Sequence, residues 1–182
     1  MKKLPSHLGG HGNTNHVDFG ALEYLKQKFE ITSLLDIGCG LGQMKGICDA
    51  EGVSYLGVDG DWTVKREHDQ VVVHDYTVGP APLGDKSFDV GWSTEFLEHV
   101  EEAHVENFMA DFKRCKYVMA THALPGKKGH HHVNCKKPNY WKDIFSNHGF
   151  TFLEKETQEL REASTMKREF VRDHALVFKN NV

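Results

Sequence analysis

Apolar positions along the chain recur with two periods, and the way the periods alternate predicts the architecture. Phe19, Leu22, Leu25 and Phe29 fall at helical spacing behind Asp18, a residue type suited to cap the first free backbone amides of a helix. A helix is therefore expected ahead of the first strand. The short apolar run Ser33-Leu34-Leu35-Asp36-Ile37 stops at Gly38-Cys39-Gly40-Leu41-Gly42, and helical spacing returns at Met44, Ile47 and Cys48. Further strands are expected over Val53–Val58, Gln70–His74, Phe88–Ser93 and Tyr117–Thr121, with an acidic helical stretch from Glu95 to about Arg114 between the last two. A helix near Asn139–Asn147 leads into Phe150–Leu153, and Ala175–Phe178 closes the pattern; these last two runs are expected to pair antiparallel at a sheet edge. Strands alternating with helices predict an α/β, doubly wound, mainly parallel sheet with helices on both faces.

Composition narrows the class. The 182 residues, 39% apolar and 26% charged, suit one soluble domain over 1–182, with residues 1–17 as an irregular lead-in rich in Gly, His and Asn. Twenty-two Lys and Arg against 26 Asp and Glu give a net charge of −4, so no basic field draws in a phosphate backbone and a nucleic-acid partner is disfavoured. No run approaches the roughly 20 apolar residues of a membrane helix, and no signal-type apolar run follows Met1-Lys2-Lys3. No membrane partner and a cytoplasmic location are expected. Cys39, Cys48, Cys115 and Cys135 are irregularly spaced and are read as reduced, mostly buried thiols. The unusual count is 13 histidines, several of them clustered. Histidine is where chemistry is sought.

In an open α/β sheet ligands lie beyond the carboxyl ends of the strands, where Asp36, Gly38, Gly40, Gly42, Asp59, Asp75 and Ser93 all fall. The glycines allow a sharp turn and close backbone approach, and Asp59, 21 residues after Gly38, is suited to grip a ribose diol. A nicotinamide dehydrogenase is disfavoured, because the third glycine comes one residue early for its fingerprint and the chain leaves no room for a substrate domain. The stretch Leu35–Gly42 resembles the first motif of class I S-adenosylmethionine-dependent methyltransferases, and the likeness spans nearly the whole chain. Gly57-Val58-Asp59 resembles their acidic ribose-binding strand end, His74-Asp75-Tyr76 their adenine-contacting segment, and Asp85–Ser93 their fourth-strand motif. The resemblance implies a seven-stranded sheet with the last strand antiparallel, in agreement with the seven strands counted above. It implies S-adenosylmethionine as cofactor, with Asp36, Gly38, Cys39, Gly40, Gly42, Asp59, Gly60, Asp75, Tyr76 and Ser93 around it.

Glu95, Glu98 and His99 stand at i, i+3 and i+4, so on a helix they share one face beside the fourth strand. Two close carboxylates call for a cation or a proton between them, and an imidazole makes three donors for a divalent ion. The other reading is an ordinary helix start with Glu98 solvated. Thr121-His122 ends the fifth strand, and a glycine-flanked loop leads to His130-His131-His132. This arrangement resembles the metal site of small-RNA 2′-O-methyltransferases and some quinone-pathway O-methyltransferases, which implies Glu95, Glu98 and His99 as ligands with His132 or His131 as the fourth. Mixed carboxylate and imidazole donors suit Mn, Fe or Zn better than Mg. Such an ion would lower the pKa of an acceptor hydroxyl held by a neighbouring diol; without it, His99, His131 or His132 is a candidate general base. His130 is read as a surface residue. His11, Asn13 and His16 are candidates for a lid, Asn139-Tyr140-Trp141 for an aromatic wall or for helix core, and Lys136-Lys137 make too small a patch for nucleic acid.

The reading is thus a methyltransferase acting on a small-molecule acceptor at oxygen, a sugar-like hydroxyl for preference. A non-catalytic scaffold that retains cofactor and an RNA 2′-O-methyltransferase are the alternatives, and the oligomeric state stays open.

Overall fold

The computed structural model describes residues 3–10 and 16–182, so the expectation for His11 and Asn13 lies outside the described residues. Seven strands form one sheet: β1 (Ser33–Ile37), β2 (Ser54–Asp59), β3 (Val71–Val73), β4 (Phe88–Ser93), β5 (Cys115–Ala120), β6 (Phe150–Phe152) and β7 (Leu176–Asn180). Their order is β3-β2-β1-β4-β5-β7-β6, with β7 antiparallel to both neighbours and the other six parallel to one another. The antiparallel pair expected near the end of the chain is present, with β7 inserted between β5 and β6.

The central strands are buried on both faces, and consecutive residues divide between two cores. Leu34, Trp92, Met119 and Val177 pack on one side with α1 (Phe19–Phe29), α2 (Met44–Ala50), α5 (Glu154–Ala163) and α6 (Phe170–His174). Leu35, Val118 and Phe178 pack on the other with α3 (Val105–Phe112) and α4 (Pro138–Asn147). Trp141 is fully buried beneath α4, so it belongs to the core and offers no wall to a ligand. Asp18 caps α1 as expected, accepting from the Ala21 amide at 3.0 Å, and it also accepts from the Thr165 amide at 2.9 Å and the Ser164 hydroxyl.

Two differences from the sequence reading bear on the site. The stretch after β4 is not one helix: Glu95 has φ of 54°, two 3₁₀ turns follow at Leu97–His99 and Glu102–His104, and only then does α3 begin. Continuing a helix would require the Glu98 carbonyl to accept from within the segment. Instead it accepts from the Val133 and Asn134 amides, both at 3.0 Å, and the Val100 carbonyl accepts from the Asn134 side chain at 3.0 Å. Second, α5 and α6 appear where no element was expected; α5 buries only Thr157 and Leu160, too little for a periodic signal. No helix among the described residues is long and apolar enough to cross a membrane.

Candidate active site

The carboxyl ends of β1, β2, β3 and β4 open on one cavity of about 480 Å³. At its base the chain turns sharply through Gly38, with φ of 77°; a side chain there would meet the Phe96 ring at 2.5 Å. Gly42 also needs its positive φ of 74°, but it packs against His68 outside the cavity lining. Ser93 likewise lies outside it: fully buried, it donates to the Ile37 carbonyl at 2.9 Å and stitches β4 to β1. Both positions carry the frame of the site. Asp36, Gly38, Cys39, Gly40, Asp59, Gly60, Asp75 and Tyr76, the rest of the expected set, all border the cavity.

Two carboxylates define the cofactor half. Asp59 accepts from the Gly40 amide at 2.9 Å and the Asp61 amide at 2.8 Å, and pairs with Arg66 at 3.1 Å. Arg66 also donates to the Gly40 carbonyl at 2.9 Å and the Asp61 carbonyl at 3.1 Å, tying the glycine turn to the end of β2. The sequence reading missed this guanidinium, which sits in an aperiodic segment. Asp36 is buried and accepts from the Tyr55 hydroxyl at 3.0 Å; burial pushes its carboxyl up to about 7, with the Asp59 charge adding to the rise and the Tyr55 bond opposing it. The Tyr76 hydroxyl donates to buried Asp111 at 3.0 Å, which holds its ring against Phe96 with centroids 5.6 Å apart.

Across the cavity lies the carboxylate and histidine corner. Glu95 leaves β4 in the left-handed conformation, its amide donating to the Thr121 hydroxyl at 2.8 Å. Glu98 is fully buried, and among the described residues neither of its carboxylate oxygens meets a donor. Burial raises the pKa of both glutamates, and at Glu98 the Glu95 charge raises it further. One donor atom from each of Glu98, His99 and His132 lies within 4.8 Å of the others, so these three converge although no α-helix presents them. The His99 and His132 rings meet edge to face at 4.8 Å, and burial lowers the His99 pKa to about 4 with the neighbouring histidines assisting. His131 stands at the rim, 4.0 Å from Glu101, away from that cluster. His122 is buried behind the corner beside His174 and lies outside the cavity lining. His16 does border the cavity, edge-on to Phe170.

The doubly wound sheet, the glycine turn and the acidic end of β2 define a Rossmann-like nucleotide-cofactor enzyme. A family model described as a methyltransferase domain matches residues 35–116. Among solved structures, a SAM-dependent methyltransferase from Archaeoglobus fulgidus is 19% identical over 88% of this chain and 94% of that one, with a TM-score of 0.57. A TehB-like SAM-dependent methyltransferase from Corynebacterium glutamicum is 17% identical over 93% and 90%, with a TM-score of 0.63. The methyltransferase domain of bacterial CtHen1-C is 15% identical over 90% and 97%, with a TM-score of 0.60. At such identities the structural likeness speaks for the fold. No curated protein sequence matches the chain. The methyltransferase-domain match and the fold together support a class I, Rossmann-like S-adenosylmethionine-dependent methyltransferase.

Proposed function

We propose that the enzyme transfers the methyl group to a hydroxyl of a small-molecule acceptor, sugar-like for preference, and that a divalent cation at Glu95, Glu98, His99 and His132 assists. The observation that carries this reading is Glu98: a carboxylate removed from water, without a donor among the described residues, with two imidazoles converging on it. Burying such a charge unpaired is costly, and a cation among these donors would offset the cost. The donor set fits Mn²⁺, Fe²⁺ or Zn²⁺ better than Mg²⁺. Bound there, the ion would supply acidity to an acceptor hydroxyl, whose alkoxide form attacks a sulfonium methyl far better than the neutral alcohol.

The chain's own groups supply the rest. Asp59 and the Gly38–Gly40 turn hold the cofactor from one side, and the corner faces it from the other. His99, neutral near pH 7 with its Nδ1 buried and without a partner among the described residues, is the second reading as a general base. A small acceptor is supported by the modest size of the cavity and by the net charge of −4, which gives an RNA strand no basic track. A cytoplasmic enzyme accords with four free cysteines.

Titration with Mn²⁺ tests the proposal. Glu98→Ala should abolish tight Mn²⁺ binding and leave S-adenosylhomocysteine affinity nearly unchanged, because the glycine turn and Asp59 are untouched. Equal Mn²⁺ affinity in wild type and variant would remove Glu98 from any metal site. No Mn²⁺ binding by the wild type would leave the histidine-base reading.

A further inference from the structure

Residues Ser6–Gly10 border the cavity along their whole length, although they come from the irregular lead-in. The segment is anchored at two adjacent residues, to opposite sides of the cavity. His7 Nε2 lies 2.8 Å from Asp75 Oδ2 on the cofactor side, and the Leu8 carbonyl lies 3.1 Å from His130 Nε2 in the histidine loop. Around the anchors the packing is close enough to require glycine. A side chain at Gly60 would meet Leu8 Cδ2 at 2.4 Å, and one at Gly10 would meet the His130 ring at 2.6 Å. Gly9 and Gly10 both hold positive φ, 87° and 90°.

The chemistry of this end of the cavity differs from that of the corner. Leu8 laid over Gly60 offers an apolar face, the buried Tyr76 ring adds an aromatic one, and Asp75 stands beside them as an acceptor. Asp75 Oδ1 already accepts from the Thr77 amide at 2.9 Å, and His7 engages Oδ2 while leaving that oxygen a second lone pair. A flat apolar slot with an acceptor on its rim suits a purine carrying an exocyclic amino group. The carboxylates and histidines across the cavity suit a reacting hydroxyl instead.

We propose that His7 and Leu8 are cofactor-binding residues that close over the adenine end of S-adenosylmethionine, and that His130 is the positioning residue that latches them. His7 orients the Asp75 carboxylate toward the base, and Leu8 covers the face that Gly60 leaves open. The latch gives His130 a task at the site rather than the surface role expected from sequence. It also joins the cofactor-covering segment to the loop that carries His131 and His132. The inference rests on the cofactor site alone and is independent of any metal.

Calorimetric titration with S-adenosylhomocysteine, combined with hydrogen exchange at Leu8–Gly10, tests it. His7→Ala should weaken binding about tenfold, the effect of losing one charge-assisted hydrogen bond, and His7→Gln should recover most of the loss by keeping a donor toward Asp75. His130→Ala should weaken binding similarly while speeding exchange at Leu8–Gly10. In the wild type, S-adenosylhomocysteine should slow that exchange. If His7→Ala binds like wild type while Asp59→Ala binds weakly, the segment is no part of the site and the proposal falls. Undiminished binding in Asp59→Ala as well would place the cofactor elsewhere and overturn the proposal together with the site.

Discussion

Asp36 shows how one side chain ties the site to stability. Its folded carboxyl is pushed from an ordinary 3.8 up to about 7 by burial, so the folded state holds the proton more tightly than the unfolded chain does. The sign follows: this contribution is fully present below pH 3.8 and is lost as pH rises through about 7. Asp36 alone should therefore make the protein less stable at pH 8 than at pH 5, by an amount on the order of a few kcal/mol. Asp36→Asn, which keeps a partner for the Tyr55 hydroxyl, should remove most of that difference in urea unfolding at the two pH values. An unchanged difference would mean that the carboxyl ionises freely in the folded protein. At the same scale, the raised pKa values of Glu95 and Glu98 share the first cause, and at Glu98 the Glu95 charge adds a second, the repulsion of like charges.

At the scale of elements, legibility follows from how local the deciding contacts are. Helix α1 and its cap, strands β1 and β4, and the glycine turn are set by short-range rules and stand where the residue pattern put them. The segment after β4 does not, because its carbonyls are claimed by Val133 and Asn134, more than thirty positions downstream. Glu98 and His99 still converge with His132, through a left-handed residue at Glu95 and a 3₁₀ turn rather than a helix face. The identity of the corner was visible in sequence and its geometry was not. Arg66, His7 and Leu8 lie in aperiodic stretches, and only the folded chain brings His7 and Leu8 to the cavity and Arg66 to Asp59. The cap yields a prediction at this scale: Asp18→Ala removes acceptors for the Ala21 amide, the Thr165 amide and the Ser164 hydroxyl, all near a fully buried carboxylate. The cost should be about 2–3 kcal/mol, lowering the melting temperature by roughly 5–10 °C without changing S-adenosylhomocysteine affinity. A negligible fall would show that α1 is held by its apolar face alone. The turn yields another. Gly38→Ala places a methyl group against Phe96 at a φ of 77° and should weaken S-adenosylhomocysteine binding at least tenfold in calorimetry, whereas unchanged binding would show that the turn relaxes freely.

For the whole molecule, a sheet packed on both faces keeps the carboxyl ends of its central strands in one rigid frame, with Asp36 and Asp59 on one side of the cavity and the carboxylate and histidine corner on the other. The claim that unites these observations is that the methyl group is presented to the Glu95, Glu98, His99 and His132 corner. A crystal structure with S-adenosylhomocysteine and Mn²⁺, recorded with anomalous data, tests it most directly. The account predicts the ribose at Asp59, the sulfur facing the corner, and an anomalous peak among Glu98, His99 and His132. Ligand sulfur turned away from that corner, or a ribose bound away from Asp59, would contradict it.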